Sequence, residues 1–247
     1  MTSTISAGYS GKVSEYVAGR PEYPGTLLAD LPPADTIIDL GAGTGKFTEL
    51  LALTGSRIVA VEPIEKMAAR IPVDRLATVE VLIGSAEFIP VSDHVADLVC
   101  CATAFHWFDY EKATCEILRV LKPNGTLALI WNVRDDTVPW VAAFSGIMDS
   151  YAGDTPRQST GKWRIIFNDA RFRHLASKNF PFSQPMPATA IVDRALSTSF
   201  ITVLPEDEQN IVSAKIKGII ERDALLGDRD VIEFPYVTEL HLFRKQN

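Results

Sequence analysis

Short apolar runs alternate with amphipathic stretches through the first 135 residues. Five of these runs are typical of buried strands: residues 36–40, 57–61, 79–83, 96–101 and 126–130. Between them, apolar residues recur at helical spacing over 46–53, 64–71 and 111–121. Short continuous apolar strands separated by helices indicate a parallel sheet that is covered on both faces.

The alternation is less regular after residue 131. Residues 138–151 and 205–222 are predicted helices, and residues 236–243 a last strand. Residues 163–187 contain three prolines, which suits a connector and an edge strand better than a central one. The pattern contains no internal repeat or flexible linker, so it predicts one α/β domain with a decorated C-terminal half.

Charge narrows the choice of partner. The chain has 247 residues with 24 Lys+Arg and 31 Asp+Glu, a formal net charge of −7. Binding to nucleic acid depends on clustered cations, so this balance disfavours it and favours a small or neutral partner. The apolar stretches are too short to span a bilayer, and the first residues lack the features of a signal peptide. We therefore expect a cytoplasmic protein that does not bind membranes.

The three cysteines fit this location. Cys100 and Cys101 are adjacent on a predicted strand, where neighbouring side chains point to opposite faces and pair poorly as a disulfide. Cys115 lies on a predicted helix. We expect buried thiols in a reducing compartment. The chain also lacks the Cys and His spacing of a zinc site, so we expect no metal.

The glycine-rich stretch from Asp39 to Phe47 follows a predicted strand and opens a predicted helix, where open α/β sheets bind ligands. It does not fit a phosphate-binding P-loop, because Leu40 and Phe47 stand where Gly and Ser/Thr are needed. It also lacks the third glycine of a dinucleotide fingerprint, where Lys46 stands. The acid that precedes the glycines would repel a pyrophosphate and attract an ammonium group. A zwitterionic ligand is the functional interpretation, and a tight strand-to-helix turn is the structural one.

Two further strand ends carry polar groups. Glu62 ends the second strand, 17 residues after Gly45, where a carboxylate can accept hydrogen bonds from both hydroxyls of a ribose. The third strand ends at the polar turn 84–87, which could contact an adenine edge. Together the three strand ends indicate a nucleoside attached to an amino acid, although a surface acid alone would also explain Glu62.

Four segments, in this order, resemble the class I S-adenosylmethionine-dependent methyltransferases. They are Asp39-Leu-Gly-Ala-Gly-Thr-Gly45, Val59-Ala-Val-Glu-Pro63, Gly84-Ser-Ala-Glu87 and Leu118-Arg-Val-Leu-Lys-Pro-Asn-Gly125. Three others resemble a subgroup that includes trans-aconitate methyltransferase-like proteins: Tyr16-Val-Ala-Gly-Arg-Pro-Glu-Tyr-Pro24, Ala104-Phe-His-Trp-Phe-Asp109 and Phe234-Pro-Tyr-Val-Thr238. The first resemblance covers about residues 35–131, and the second reaches both termini.

The resemblance implies a Rossmann-like, doubly wound sheet of seven strands, mostly parallel with an antiparallel last strand, and helical lid elements. Residues 1–247 would form a single class I domain. Its parts would be N-terminal lid helices (1–34), a cofactor-binding core (about 35–135), a substrate-side decoration (about 136–230) and the last strand (231–247).

The implied cofactor is S-adenosyl-L-methionine, which becomes S-adenosyl-L-homocysteine. Asp39 and the glycine loop would hold its methionine end, Glu62 its ribose, and a helix with Tyr16 and Arg20 would close over it. Pro63 and Met67 would flank the adenine. The full set of implied cofactor-binding residues is Tyr16, Arg20, Asp39, Gly41, Ala42, Gly43, Gly45, Glu62, Pro63, Met67, Ser85, Ala86, Glu87 and Ala102.

Methyl transfer mainly requires that the acceptor is aligned and water excluded, and a general base is needed only when the acceptor must lose a proton. His106 follows the fourth strand and is the candidate base or hydrogen-bond donor, with a structural histidine as the alternative. Trp107 and Trp131 are candidates for an apolar substrate wall. Asn132 and Arg134 are candidates for contacts with a polar acceptor.

The predicted function is therefore methyl transfer to a small organic molecule, with an oxygen, such as that of a carboxylate, as the favoured acceptor. We expect a monomer or homodimer. The alternatives are a non-catalytic S-adenosylmethionine-binding or regulatory protein and, more remotely, an NAD-linked oxidoreductase, which the misplaced third glycine disfavours.

Overall fold

A computed structural model describes residues 21–223, 226–227 and 229–246. Within them, seven strands form one sheet with the order β3-β2-β1-β4-β5-β7-β6. The strands are β1 (Thr36–Leu40), β2 (Arg57–Glu62), β3 (Val79–Ile83), β4 (Ala96–Ala102), β5 (Leu121–Arg134), β6 (Phe172–Met186) and β7 (Ile232–Lys245). The pairings from β3 through β5 are parallel, and the last strands are antiparallel. This confirms the predicted Rossmann-like sheet.

Helices connect these strands. They are α1 (Lys46–Ala52), α2 (Glu65–Ala68), α3 (Tyr110–Val120), α4 (Pro139–Tyr151), α5 (Ala188–Leu196), α6 (Ser199–Thr202) and α7 (Glu206–Arg222). Short 3-10 helices cover Gly25–Asp30, Val73–Arg75, Phe105–Trp107, Gln158–Thr160 and Lys162–Asn168. The sequence pattern did not predict α5, which buries Ile191, Val192 and Ala195 on one face.

Two strands differ in extent from the prediction. β5 begins at Leu121 rather than at residue 126, because Leu121 pairs with Ala96 before the register shifts. The predicted turn survives inside the strand as the left-handed backbone of Asn124 (φ 61°). β6 is an edge strand, as the prolines predicted, but it begins at Phe172.

The described residues divide into two compact units. The first unit comprises 23–132, 156–180 and 238–246, and the second comprises 21–22, 133–155 and the described part of 181–237. Residues of β5, β6 and β7 occur in both. The grouping of the whole chain as one domain stays a prediction.

Each unit has its own apolar core. In the first unit, strand residues such as Ile37, Ile58 and Leu98 pack with Phe47 and Leu51 of α1. In the second unit, α4, α5 and α7 pack around Phe234 of β7. Burial of these apolar side chains is the main favourable contribution to folding in each unit.

The cysteines follow the prediction only in part. Cys100 and Cys101 are buried, whereas Cys115 is exposed on α3. All three thiols are free. In the part of the chain that the structure describes, no helix is both long enough and apolar enough to cross a membrane.

Arg119, near the end of α3, holds the chain that precedes β4. Its guanidinium donates to the carbonyls of Ile89 and Val91 at 2.8 Å each. It also pairs with Asp93 and Glu116. Without Arg119 the carbonyls of Ile89 and Val91 would lose these donors, and a buried carbonyl that has no donor destabilises the folded state.

We expect Arg119→Met to lower the free energy of unfolding by about 2 kcal/mol, because it removes several charge-assisted hydrogen bonds at once. Urea denaturation measures this change. Arg57→Met is the matched control, because the Arg57 guanidinium forms an exposed ion pair with Glu80 among the described residues, and such pairs contribute little. Equal effects of the two substitutions would contradict the role of Arg119.

Candidate active site

The chain reverses sharply between β1 and α1. Gly41, Gly43 and Gly45 all have left-handed backbones, with φ of 76°, 59° and 92°. The N–H groups of Gly41 and Ala42 both donate to the carbonyl of Val61 on the neighbouring strand, at 2.8 and 3.1 Å. A Cβ on Gly41 would lie 2.6 Å from the Cβ of Ala104. The glycine pattern is therefore required by backbone geometry at the carboxyl end of the sheet.

Asp39 lies under this turn and is fully buried. The Thr48 hydroxyl donates to its Oδ2 at 2.6 Å. Its Oδ1 has no hydrogen-bond partner among the described residues. Burial raises the pKa of Asp39 to about 7, and the nearby charge of Glu62 adds to the shift, while the bond from Thr48 opposes it. A buried acceptor without a donor is costly, and an ammonium group would supply that donor.

Glu62 ends β2 and faces the same turn. Its Oε2 accepts from the N–H of Gly43 at 2.9 Å and its Oε1 from the N–H of Ile64 at 3.0 Å. Burial raises its pKa, and the two backbone hydrogen bonds oppose that shift. The carboxylate is thereby oriented, and each oxygen keeps a second lone pair with which it could accept a ribose hydroxyl. The predicted ribose contact itself stays a prediction.

The end of β3 adds a tight polar turn. Gly84 donates to the carbonyl of Glu62, and Ser85 and Phe88 exchange backbone hydrogen bonds at 3.2 Å. Ala86 is buried between them. Glu87 accepts from the N–H of Asp109 at 3.0 Å, which ties this turn to the segment after β4.

The other residues predicted to contact the cofactor differ in how exposed they are. Met67 of α2 is buried, and its Cε lies 3.5 Å from where a Cβ on Gly43 would stand. Pro63 is exposed at the end of β2, and Ala102 is the last residue of β4. Tyr16 and Arg20 lie outside the described residues.

The sequence analysis did not single out Thr103 and Tyr23. Thr103 follows β4 with a left-handed backbone (φ 54°), which is rare for a β-branched residue. Its N–H donates to the carbonyl of Ile130 at 2.7 Å, and its hydroxyl bonds to that of Tyr23 at 3.0 Å. Strained backbone of this kind is concentrated at functional sites. The sequence carried no signal for it, because β-branched residues ordinarily avoid this conformation.

The aromatic residues after β4 and on β5 are linked by a hydrogen bond. The indole Nε1 of Trp131 donates to Nδ1 of His106 at 3.1 Å. Trp131 is only 1% exposed, and its ring centre lies 4.4 Å from that of Trp163. Trp107 is half-buried, with its ring centre 5.2 Å from that of His106. Trp131 therefore holds the His106 ring through a hydrogen bond to Nδ1, whereas the Trp107 ring is only partly buried.

The predicted polar contacts lie further along β5. Asn132, in the first unit, accepts from the Thr238 hydroxyl through Oδ1 at 2.6 Å. Arg134, in the second unit, donates from Nε to the Ser145 hydroxyl at 2.7 Å. That hydroxyl donates in turn to Asp136 at 2.6 Å. Arg134 is therefore held by an oriented partner at the end of its strand.

Among the described residues, no group of three His, Cys, Asp or Glu side chains is arranged to hold a metal ion. Asp39 and Glu62 lie at the edge where open α/β sheets bind nucleosides, and a ligand with an ammonium group and ribose hydroxyls would supply donors to both carboxyl groups.

Comparison with known proteins agrees with this description. Residues 38–129 match the family described as "Methyltransferase domain". An uncharacterized methyltransferase-like protein of Schizosaccharomyces pombe is 39% identical over 233 residues, covering 92% of this chain and 91% of that protein. An uncharacterized methyltransferase of Mycobacterium tuberculosis is 32% identical over 236 residues, covering 95% and 94%.

A solved structure from Anaeromyxobacter dehalogenans, assigned as a type II methyltransferase, superimposes with a TM-score of 0.70. It is 22% identical, and the alignment covers 91% of this chain and 96% of that one. At this identity the likeness shows the fold. Taken with the sequence relatives, the chain belongs to the methyltransferases that use S-adenosylmethionine. The alternative of an NAD-linked oxidoreductase is thereby set aside.

We expect Asp39→Asn to stabilise the cofactor-free protein at pH 8 by about 2 kcal/mol. The pKa of Asp39 is raised from an ordinary 3.8 to about 7. Between these two pH values the folded state keeps a proton on Asp39 that the unfolded chain has already released. Stability due to this group therefore falls as pH rises through that window. Urea denaturation should show the gain shrinking from pH 8 to pH 5.

The same substitution should weaken S-adenosylmethionine binding by roughly 1.5–3 kcal/mol, the size of a charge-assisted hydrogen bond, as measured by calorimetric titration. Asp74→Asn is the control, because Asp74 is exposed on a short 3-10 helix and should affect neither quantity. Unchanged cofactor affinity in Asp39→Asn would remove Asp39 from the binding site.

A second pair of substitutions tests the turn. Gly41→Ala and Gly55→Ala impose the same backbone strain, since their φ angles are 76° and 77°. Only the first also meets a neighbour, because no atom lies within 4 Å of a Cβ on Gly55. We expect a loss in unfolding free energy of about 1 kcal/mol for Gly55→Ala and about 3 kcal/mol for Gly41→Ala. Equal losses in urea denaturation would show that contact with Ala104 is unimportant.

Proposed function

We propose that this methyltransferase transfers the methyl group of S-adenosylmethionine to a carboxylate oxygen of a small organic acid. The observation that carries cofactor binding is the buried, unpartnered Oδ1 of Asp39 beneath the glycine turn. Asp39 would hold the ammonium group and Glu62 the ribose. When bound, the cofactor supplies a methyl group on a sulfonium, whose leaving group is already activated.

The net charge of −7 disfavours a nucleic acid as the acceptor, because its phosphates would meet an acidic protein. Arg134, three residues beyond Trp131 on β5, stays a candidate from the sequence for a contact with a polar acceptor.

Two likenesses agree with O-methylation. A malonyl-[acyl-carrier protein] O-methyltransferase of Methylococcus capsulatus is 33% identical over 132 residues, covering 50% of this chain and 46% of that protein. The segment 104–109, which contains His106, resembles trans-aconitate methyltransferase-like proteins. Both names refer to acids with at least one free carboxylate beside a second acyl or carboxyl group, so the proposed substrate class is small di- and tricarboxylic acids and their derivatives.

The test measures transfer of labelled methyl from S-adenosylmethionine to malonate, succinate, fumarate and trans-aconitate, with catechol and glycine as oxygen and nitrogen acceptors of other chemistry. We expect base-labile methyl esters from one or more of the acids and no product from the other two. Methylation of catechol or glycine alone would overturn the carboxylate assignment, provided that calorimetry shows cofactor binding.

A further inference from the structure

The segment after β4 begins with a residue in an unfavourable backbone conformation. Among the described residues, three that are not glycine have left-handed backbones: His94, Thr103 and Asn124. Asparagine and histidine adopt this conformation more readily than most residues, whereas a β-branched residue such as threonine is an outlier there. The left-handed region is disfavoured roughly tenfold for a residue that has a Cβ. Thr103 therefore needs compensating contacts that hold it in this conformation.

Two hydrogen bonds supply this compensation. The N–H of Thr103 donates to the carbonyl of Ile130 at 2.7 Å, which continues the pairing of β4 with β5. Any residue except proline could make that bond. The hydroxyl of Thr103 shares a second hydrogen bond with the hydroxyl of Tyr23 at 3.0 Å. Only this second bond depends on the side chain at position 103.

Tyr23 connects this bond to the helix that follows the glycine turn. Its ring packs edge-on against Phe47 of α1, with the two ring centres 4.9 Å apart. Phe47 is buried and lies two residues after Gly45, the last glycine of the turn. The hydroxyl that bonds to Thr103 therefore belongs to a ring that is packed on α1.

The residue after Thr103 contacts the glycine turn itself. Ala104 is buried, and its Cβ lies 2.6 Å from where a Cβ on Gly41 would stand. The ring of Phe108, in the same segment, lies 3.5 Å from that point. The conformation of Thr103 directs the chain from β4 toward these contacts. The turn is thus enclosed by a closed ring of contacts that runs through Gly41, Phe47, Tyr23, Thr103 and Ala104.

We propose that Thr103 is a positioning residue for cofactor binding, held in its left-handed conformation by the hydroxyl of Tyr23. In this conformation it places Ala104 against Gly41 and so fixes the backbone turn that covers the buried carboxyl group of Asp39. The inference rests on the proposed function for the place of the cofactor, and it does not depend on which acceptor is methylated. In this role the Thr103 hydroxyl acts through the backbone and not by touching the cofactor.

Substitutions at position 103 separate backbone strain from hydrogen bonding. Thr103→Val keeps the branched shape and loses the hydroxyl, Thr103→Ser keeps the hydroxyl, and Thr103→Gly loses the hydroxyl but adopts the left-handed conformation without strain. We expect the affinity for S-adenosylmethionine, measured by calorimetric titration, to fall about tenfold in Thr103→Val and to stay within about threefold of the wild type in the other two. A hydroxyl that contacted the cofactor directly, or a side chain needed only for packing, would make Thr103→Gly at least as weak as Thr103→Val. That result would overturn the proposal.

Tyr23→Phe removes the partner hydroxyl and keeps the ring on Phe47. We expect it to lower cofactor affinity about five- to tenfold in the wild type and less than about twofold in the Thr103→Gly background, since residues in contact are not additive. Tyr151→Phe is the matched control, because the Tyr151 hydroxyl accepts a hydrogen bond from Lys215 at 3.1 Å within the second unit. It should leave cofactor affinity unchanged. A loss from Tyr23→Phe that is equally large in the glycine background would contradict the role of the hydrogen bond.

A stability cycle tests the contact with the turn in the absence of cofactor. In the wild type we expect Gly41→Ala to raise the unfolding equilibrium constant about a hundredfold, because its Cβ meets Ala104. In the Thr103→Val background, where Ala104 is no longer held against the turn, the rise should be below about tenfold. Gly55→Ala should have the same effect in both backgrounds, since no atom lies within 4 Å of its Cβ. Additive effects of Gly41→Ala and Thr103→Val in urea denaturation would refute the positioning role.

These outcomes are separate from the assignment of the acceptor. If the affinities change as expected but no acid is methylated, the proposed substrate class fails and the positioning role of Thr103 stands. If the wild type methylates an acid but Thr103→Gly binds the cofactor as weakly as Thr103→Val, the proposed function stands and the positioning role fails.

Discussion

The tight turn between β1 and α1 determines how the neighbouring strand ends pack at the carboxyl edge of the sheet. Three left-handed glycines bring the backbone over the end of β1, and the N–H groups of Gly41 and Ala42 both donate to the carbonyl of Val61. Ala104, after β4, closes the space that a side chain on Gly41 would need. The turn can therefore exist only where β1, β2 and β4 end together, and it covers the carboxylate of Asp39.

Burial of the two carboxyl groups of Asp39 and Glu62 near one turn is unfavourable when no ligand is bound. Burial raises the pKa of both Asp39 and Glu62, and the charge of Glu62 raises the pKa of Asp39 further. Glu62 is compensated by the N–H groups of Gly43 and Ile64, whereas one oxygen of Asp39 has no such donor among the described residues. A cationic ligand would relieve this imbalance, so cofactor binding at Asp39 would be favoured by the same burial that destabilises the cofactor-free protein.

The contacts of His106 join residues that are distant in the chain. His106 follows β4 and Trp131 lies on β5, 25 residues later, yet the parallel pairing of these strands brings their side chains together. Packing of Trp131 against Trp163 then limits its movement. The Nδ1 of His106 thereby accepts a hydrogen bond from a donor that comes from a different strand.

From the sequence, the apolar period predicted the five parallel strands and the glycines predicted the tight turn after β1, because apolar pattern and backbone conformation are local properties. The nucleoside contacts of Asp39 and Glu62 stay predictions. Local pattern could not reveal the strained Thr103, the early start of β5 at Leu121, or helix α5, since each depends on pairing and packing across the fold. It likewise left His106 open between base and donor. Only the tertiary structure places the Trp131 indole against Nδ1, because that donor comes from a different strand.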